Sequence, residues 1–197
     1  MPRVAGQVDP KKSAAILEAA SELFSEKGVA VSMNEIARRA GVSKQTLYNR
    51  YPSKTEIGRA LAGRRSDAIT APLRTGDDPE TVLTALATAI LNKICKAEKG
   101  ESMRGVALMA PSAPDIAHAI YDGGPGESLR RLSAWLREQD RLGLLAIPDP
   151  DLAAEMFTGM VVGHGHLRTF LGIPHPDHDH APRARESARR FLRAFAV

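Results

Sequence analysis

The sequence predicts an all-α protein: an N-terminal three-helix helix-turn-helix domain plus a larger C-terminal helical bundle, with about nine helices. Three observations support this. Aromatic residues make up only 5% and apolar residues 43%, with abundant alanine and with valine and isoleucine scattered singly rather than gathered into strand-like runs. Asp-Pro occurs at Asp9-Pro10, Asp78-Pro79 and Asp149-Pro150, each placing an N-cap acceptor just before a proline at the first helical position. Apolar residues recur at spacings of three and four, the period of a helix face.

In chain order, Ile16, Leu17, Ala20, Leu23 and Phe24 lie on one face of a first helix, from about Pro10 to Lys27, that Gly28 ends. Ser32 and Glu35 have capping-box spacing for a second helix, Met33 to about Ala40. Gly41 closes it, and Ser43 caps a third helix through about Asn49. Ser53 and Glu56 repeat the capping-box spacing for a fourth. The expected domains are therefore 1–52, with a connecting helix over 53–70, and 75–197 after the linker RTGDD. Val82, Leu83, Leu86, Ile90 and Ile94 mark the next helix. Shorter helices follow near Met103–Ala110 and Pro114–Tyr121, and DGGPG breaks the chain. Leu129, Leu132, Trp135 and Leu136 mark another helix; long helices from Asp151 to about Leu171 and Pro182 to Ala196 complete the chain.

Charge is unevenly placed. Residues 1–74 carry 13 Lys/Arg against 7 Asp/Glu, while the rest carries 14 against 16, so the positive field belongs to the N-terminal third and would attract a polyanion. Between Ile36 and Thr55 stand Arg38, Arg39, Lys44, Arg50 and Lys54 with no acid among them. Ala37 and Gly41 allow two short helices to cross closely, and Ile36, Ala40, Val42 and Leu47 supply apolar contacts. This is helix-turn-helix spacing, and a second helix carrying Lys44, Gln45, Thr46, Tyr48 and Asn49 can enter a major groove about 12 Å wide. Ser32, Ser43 and Lys54, at helix starts, are candidates for phosphate contacts. Gln45 and Lys44 are the candidates for reading bases, with Gln suited to adenine and Lys to guanine.

ILEAASELFSEKG followed by SMNEIARRAGVSKQTLYNRYPSKTEI resembles the N-terminal domain of TetR-family (AcrR-type) bacterial transcriptional regulators, over about Ile16 to Leu61. The resemblance implies a DNA-binding domain, a larger helical domain that takes a small inducer, and a homodimer formed by the last two long helices. It also implies phosphate contacts by Thr46, Tyr48, Tyr51 and Lys54, with Lys44, Gln45 and Asn49 toward the bases. Gln45 stands where glycine or arginine is frequent, so base preference does not carry over. DPDLAAEMFTGMVVGHGHLRTFLGIP and SARRFLRAF are similar to the C-terminal domain of the AefR-like branch. The function implied is a sequence-specific repressor of transcription, released from its double-stranded operator by a small-molecule effector.

The other candidates lie in the second domain. Met103, Met109, Trp135, Met156, Phe157 and Met160 are the residues expected to line an inducer pocket, since methionine adapts to irregular ligands. Gly159, Gly163, Leu167, Ala188, Phe191, Leu192 and Phe195 are read as a dimer seam; tight packing inside one subunit is the alternative. Five histidines fall within residues 164–180. His164 and His166 are about 200° apart on a helix and cannot share one ion from one face, so a metal-responsive regulator using the His175–His180 segment is an alternative. A helical protein-interaction module is another. No residues are assigned as catalytic or metal ligands and no cofactor is expected, because no G-x-S-x-G, P-loop or H-E-x-x-H is present and the single Cys95 has no adjacent histidine. The absence of a long apolar run and of a signal peptide, together with one cysteine, predicts a cytoplasmic protein with no membrane contact.

Overall fold

A computed structural model of the chain describes residues 9–95, 104–176 and 179–197. Met103 and His178 lie outside them. The described elements are helical: α1 (Pro10–Lys27), α2 (Met33–Arg39), α3 (Lys44–Arg50), α4 (Lys54–Ile69) and α5 (Pro79–Ile94) are followed by α6 (104–109). Then come α7 (Pro114–Gly123), α8 (Pro125–Arg141), α9 (Pro150–Val162), α10 (Gly165–Leu171) and α11 (Ala181–Ala194).

The three Asp-Pro pairs act as their spacing predicts. Asp9 accepts from the Lys11 amide, Asp78 from Glu80 and Thr81, and Asp149 from Asp151 and Leu152. Each cap satisfies amides that a helix start leaves orphaned, worth about 1 kcal/mol apiece. The second capping box is only half made. Ser53 accepts from the Glu56 amide, while the Glu56 carboxylate pairs with Arg59 at 3.5 Å.

Two hydrophobic cores form among the described residues. Ile16, Leu17, Ala20, Leu23, Val31, Ile36, Ala37, Leu47 and Ile57 join α1 to α4 in the smaller one. The larger gathers Leu83, Leu86 and Leu91 of α5, Leu132 and Leu136 of α8, Phe157 and Val161 of α9, and Ala188 and Phe191 of α11. α4 belongs to both, since Ile57 is buried in the first and Ile69 packs against the second. Its far half is pinned to α8, where Arg131 donates to Asp67 at 2.6 Å and to Thr70 at 3.0 Å, and Ser66 meets Ser128 at 2.9 Å.

Against α7 the contact is closer still. A Cβ added at Gly123 would lie 2.7 Å from the Arg59 carbonyl oxygen, one at Gly124 3.2 Å from Ala62 Cβ, and one at Gly58 3.3 Å from Ile120. Small residues therefore let the two backbones touch.

Two expected elements differ. DGGPG does not open a loop, because α7 runs to Gly123 and α8 starts at Pro125, leaving Gly124 as the whole joint. The single helix expected from Asp151 to Leu171 is two helices. Gly163 adopts φ +50, and a side chain there would meet Arg183 Nη2 at 2.5 Å, so the chain turns and restarts at Gly165.

Candidate nucleic-acid interface

The α2–turn–α3 unit is built from its ends inward. α2 begins with a complete capping box, in which Ser32 Oγ accepts from the Glu35 amide and the Glu35 carboxylate accepts from the Ser32 amide at 2.8 Å. It ends in a Schellman turn: the Val42 amide donates to the Ala37 carbonyl at 3.0 Å, the Gly41 amide to Arg38 at 3.2 Å, and Gly41 takes φ +64. Ser43 then starts α3 by accepting from the Thr46 amide at 3.1 Å. Ala37 and Leu47 are buried at the crossing, so a short turn and two small contacts fix the angle between the helices.

This construction leaves one face of α3 in solvent. At 100° per residue, Lys44, Tyr48, Gln45 and Asn49 fall within an arc of roughly 140°. All four are exposed, and none has a side-chain partner among the described residues. Leu47 points the other way, into the core. An α-helix with its side chains is about 10–12 Å across, which suits the width of a major groove.

The cations are less free than their count suggests. Arg39 is held by Glu22 and Glu26 at 3.0–3.1 Å. Arg50 donates to Ser13 of α1 at 2.6 Å, and Lys54 donates to the Val29 carbonyl at 2.6 Å, leaving two of its three protons for a phosphate. Arg38 is exposed and unpaired among the described residues. Ser32 is engaged by its own helix. Its amide and its hydroxyl both donate to Glu35, at 2.8 and 2.9 Å, so neither proton remains for a phosphate. Ser43 and Thr46 share one hydrogen bond between their hydroxyls at 2.9 Å, which leaves one hydroxyl proton outward. Tyr51 packs partly against the smaller core.

Glu35 holds the entry to α2 under strong electrostatic bias. The Lys27 ammonium at 2.7 Å, then the Ser32 amide and hydroxyl, lower its pKa from the ordinary 4.5 to about 2. A depressed carboxylate pKa contributes stability that is complete above the unfolded value and is lost as pH falls through the folded one. The stability difference between wild type and Glu35→Gln is accordingly expected to shrink from about pH 4.5 to about pH 2. Acid titration followed by circular dichroism measures it; a pH-independent difference would refute the pairing.

The residues expected to form a pocket do not converge. Met109 lines a cavity of about 90 Å³ with Phe24, Leu61, Arg65, Ile116 and Ile120, between α1, α4, α6 and α7. Trp135 packs against the larger core. Phe157 is fully buried inside that core, edge-on to Phe191 at 5.1 Å between ring centroids, and is thus a packing residue. Met156 and Met160 face outward from α9.

The expected seam also divides. Gly159 and Leu167 are exposed, with open space around Gly159. Ala188 and Phe191 are buried within their own subunit, Leu192 and Phe195 pack on the same core, and the space beside Gly163 is filled by Arg183. α11 therefore spends its apolar stripe on α5 and α9. An outward row remains: Leu152, Met156 and Met160 of α9 and Leu167 of α10 are 55, 50, 40 and 53% exposed. Among the described residues, no group of three or more His, Cys, Asp or Glu is placed to hold a metal ion, and no helix is long and apolar enough to cross a membrane.

Comparison with known proteins agrees with this geometry. Residues 16–61 match the family described as bacterial regulatory proteins, tetR family, and residues 81–197 match the AefR-like transcriptional repressor, C-terminal domain. A curated relative, the HTH-type transcriptional activator FasR of Mycolicibacterium smegmatis, is 40% identical over 84 residues, 40% of this chain and 38% of that protein. Among solved structures, a TetR-family transcriptional regulator from Mesorhizobium loti MAFF303099 superposes with a TM-score of 0.76 at 25% identity, covering 95% of this chain and 98% of that one. The flavonoid-responsive regulator FrrA gives 0.71 at 29% identity, with the same coverages.

Proposed function

The chain belongs to the TetR family of bacterial regulatory proteins, and we propose that it works as a homodimeric repressor whose grip on a double-stranded operator weakens when a small molecule binds its C-terminal bundle. A regulator, not an enzyme, is what its relatives are. One observation carries the DNA reading: the outward face of α3 offers Lys44, Gln45, Tyr48 and Asn49 with no side-chain partner among the described residues, on a helix fixed at both ends. Hydrogen-bonding groups left free on a rigid helix are what groove recognition requires.

Lys54, with two protons left, and the outward hydroxyl of the Ser43–Thr46 pair would hold phosphates, while Gln45 and Lys44 would read bases. The outward row of α9 and α10 would pair two protomers and set two α3 helices about 34 Å apart, one turn of the duplex. The effector need only favour a conformation in which that spacing is lost. FrrA responds to flavonoids, which supports a small organic effector for the same fold.

Fluorescence anisotropy with labelled duplexes tests the reading. Affinity should fall steeply with salt, because phosphate contacts release counterions; a flat salt dependence would eliminate DNA binding. Gln45→Ala should erase discrimination at one operator position, about 1–3 kcal/mol, while leaving non-specific affinity unchanged. Unaltered preference across a randomised operator library would remove Gln45 as a reader. In vitro transcription from a promoter carrying the operator distinguishes repression from activation.

A further inference from the structure

Where α5 ends, the α9–α10 turn and the start of α11 enclose a cavity of about 330 Å³ that the operator reading does not use. Its apolar side is Leu91, Ile94 and Val162; its polar side is Arg168, Arg183, His164, His175 and His180. Among the described residues no carboxylate lines it. Two guanidiniums, Arg168 and Arg183, thus share one hollow with an aliphatic wall and, among the described residues, no carboxylate in its lining, a combination that suits an amphipathic anion.

The hollow is assembled, not incidental. Gly165 brings the turn against α5, since a Cβ there would sit 3.3 Å from Ile94. The absence of a side chain at Gly163 makes room for the Arg183 guanidinium. His175 is fixed between Thr169 Oγ1 at 3.0 Å and Cys95 Sγ at 3.6 Å. Arg168 anchors through one contact, to the Pro174 carbonyl at 3.2 Å, and keeps its remaining donors. The electrostatics agree: burial, then Arg168 and His180, lower the pKa of His175, and burial raises that of the Cys95 thiol against the pull of Arg183.

We propose that this cavity binds a small monocarboxylate, its carboxylate held by Arg168 and Arg183 and its apolar body resting on Leu91, Ile94 and Val162. Guanidinium forks match a carboxylate, and the volume falls at the small end of ligand sites. The aliphatic side selects against inorganic phosphate, which would lose hydration there without compensation. The assignment does not depend on DNA binding.

Isothermal titration calorimetry on the full-length chain without DNA tests it, with octanoate and benzoate as probes, octanamide and benzamide as neutral counterparts, and inorganic phosphate as the bare anion. At least one carboxylate should bind with Kd below about 1 mM, at least about tenfold tighter than its amide and than phosphate. Arg183→Met and Arg168→Met should each weaken it about tenfold or more, Arg183→Lys should restore part of the loss, and Cys95→Ala should leave binding intact. Thermal unfolding of each variant shows whether it is folded. No binding by either carboxylate, equal binding of carboxylate and amide, phosphate binding as tightly as the carboxylate, or carboxylate binding unchanged in both folded Met variants would each overturn the proposal.

Discussion

Replacing Met160 and Leu167 together by Glu is expected to yield a folded monomer and to lower affinity for a two-half-site operator by about 10²–10⁴. Both side chains point outward from α9 and α10, so the substitutions remove nothing from the subunit's own core. They do place like charges on both faces of a two-fold contact, where each protomer meets its own patch. Losing the second α3 removes the gain from a tethered binding event, while each α3 keeps its own contacts. Sedimentation velocity reads the mass, and anisotropy with single and paired half-sites reads the affinities. A variant that stays dimeric, or a monomer that binds paired half-sites as tightly as wild type, would show that this row is not the seam.

Phe157→Ala should destabilise the fold by about 3–5 kcal/mol. Phe157 has no exposure and stands edge-on to Phe191, whose ring is in turn 4.8 Å from Phe195. Truncation opens a void that α5, α8 and α11 must collapse around, and three packed helices relax only in part. Glu155, two positions earlier, is exposed and outside the outward apolar row, and Glu155→Ala should stay within about 0.5 kcal/mol. Urea denaturation of the two variants gives the contrast; similar midpoints would contradict the burial of one and the exposure of the other.

Elements coded by neighbouring residues were legible in the sequence. The Asp-Pro starts, the Ser32–Glu35 box and the Gly41 turn each depend on groups within a few positions, and each formed as its spacing implied. What was illegible depends on distant partners. Arg39 reaches Glu26 thirteen positions back, and Arg50 reaches Ser13 across 37; a local charge count treats both as free. Phe157 and Phe191 were read as pocket and seam because an apolar stripe does not say which helix will cover it. Similarly, nothing local in the sequence shows that Arg183, an exposed residue, lines one hollow with His175 and Arg168, because the turn at Gly163 leaves the room for its guanidinium. That turn could have been suspected, since Gly-His-Gly offers two backbone positions free of a Cβ.

The contact of α4 with α7 through Gly58, Gly123 and Gly124 has a mechanical meaning. Long side chains between two helices would swivel and absorb a displacement, but here Gly123 lies against the Arg59 main chain, Gly124 against Ala62 and Gly58 against Ile120, with little between them to yield. A shift of α7 must therefore be transmitted to α4 rather than dissipated. Because α4 begins only a few residues after α3 ends, whatever repositions the middle of the bundle steers α3, much as a stiff rod turns what is fixed to its tip.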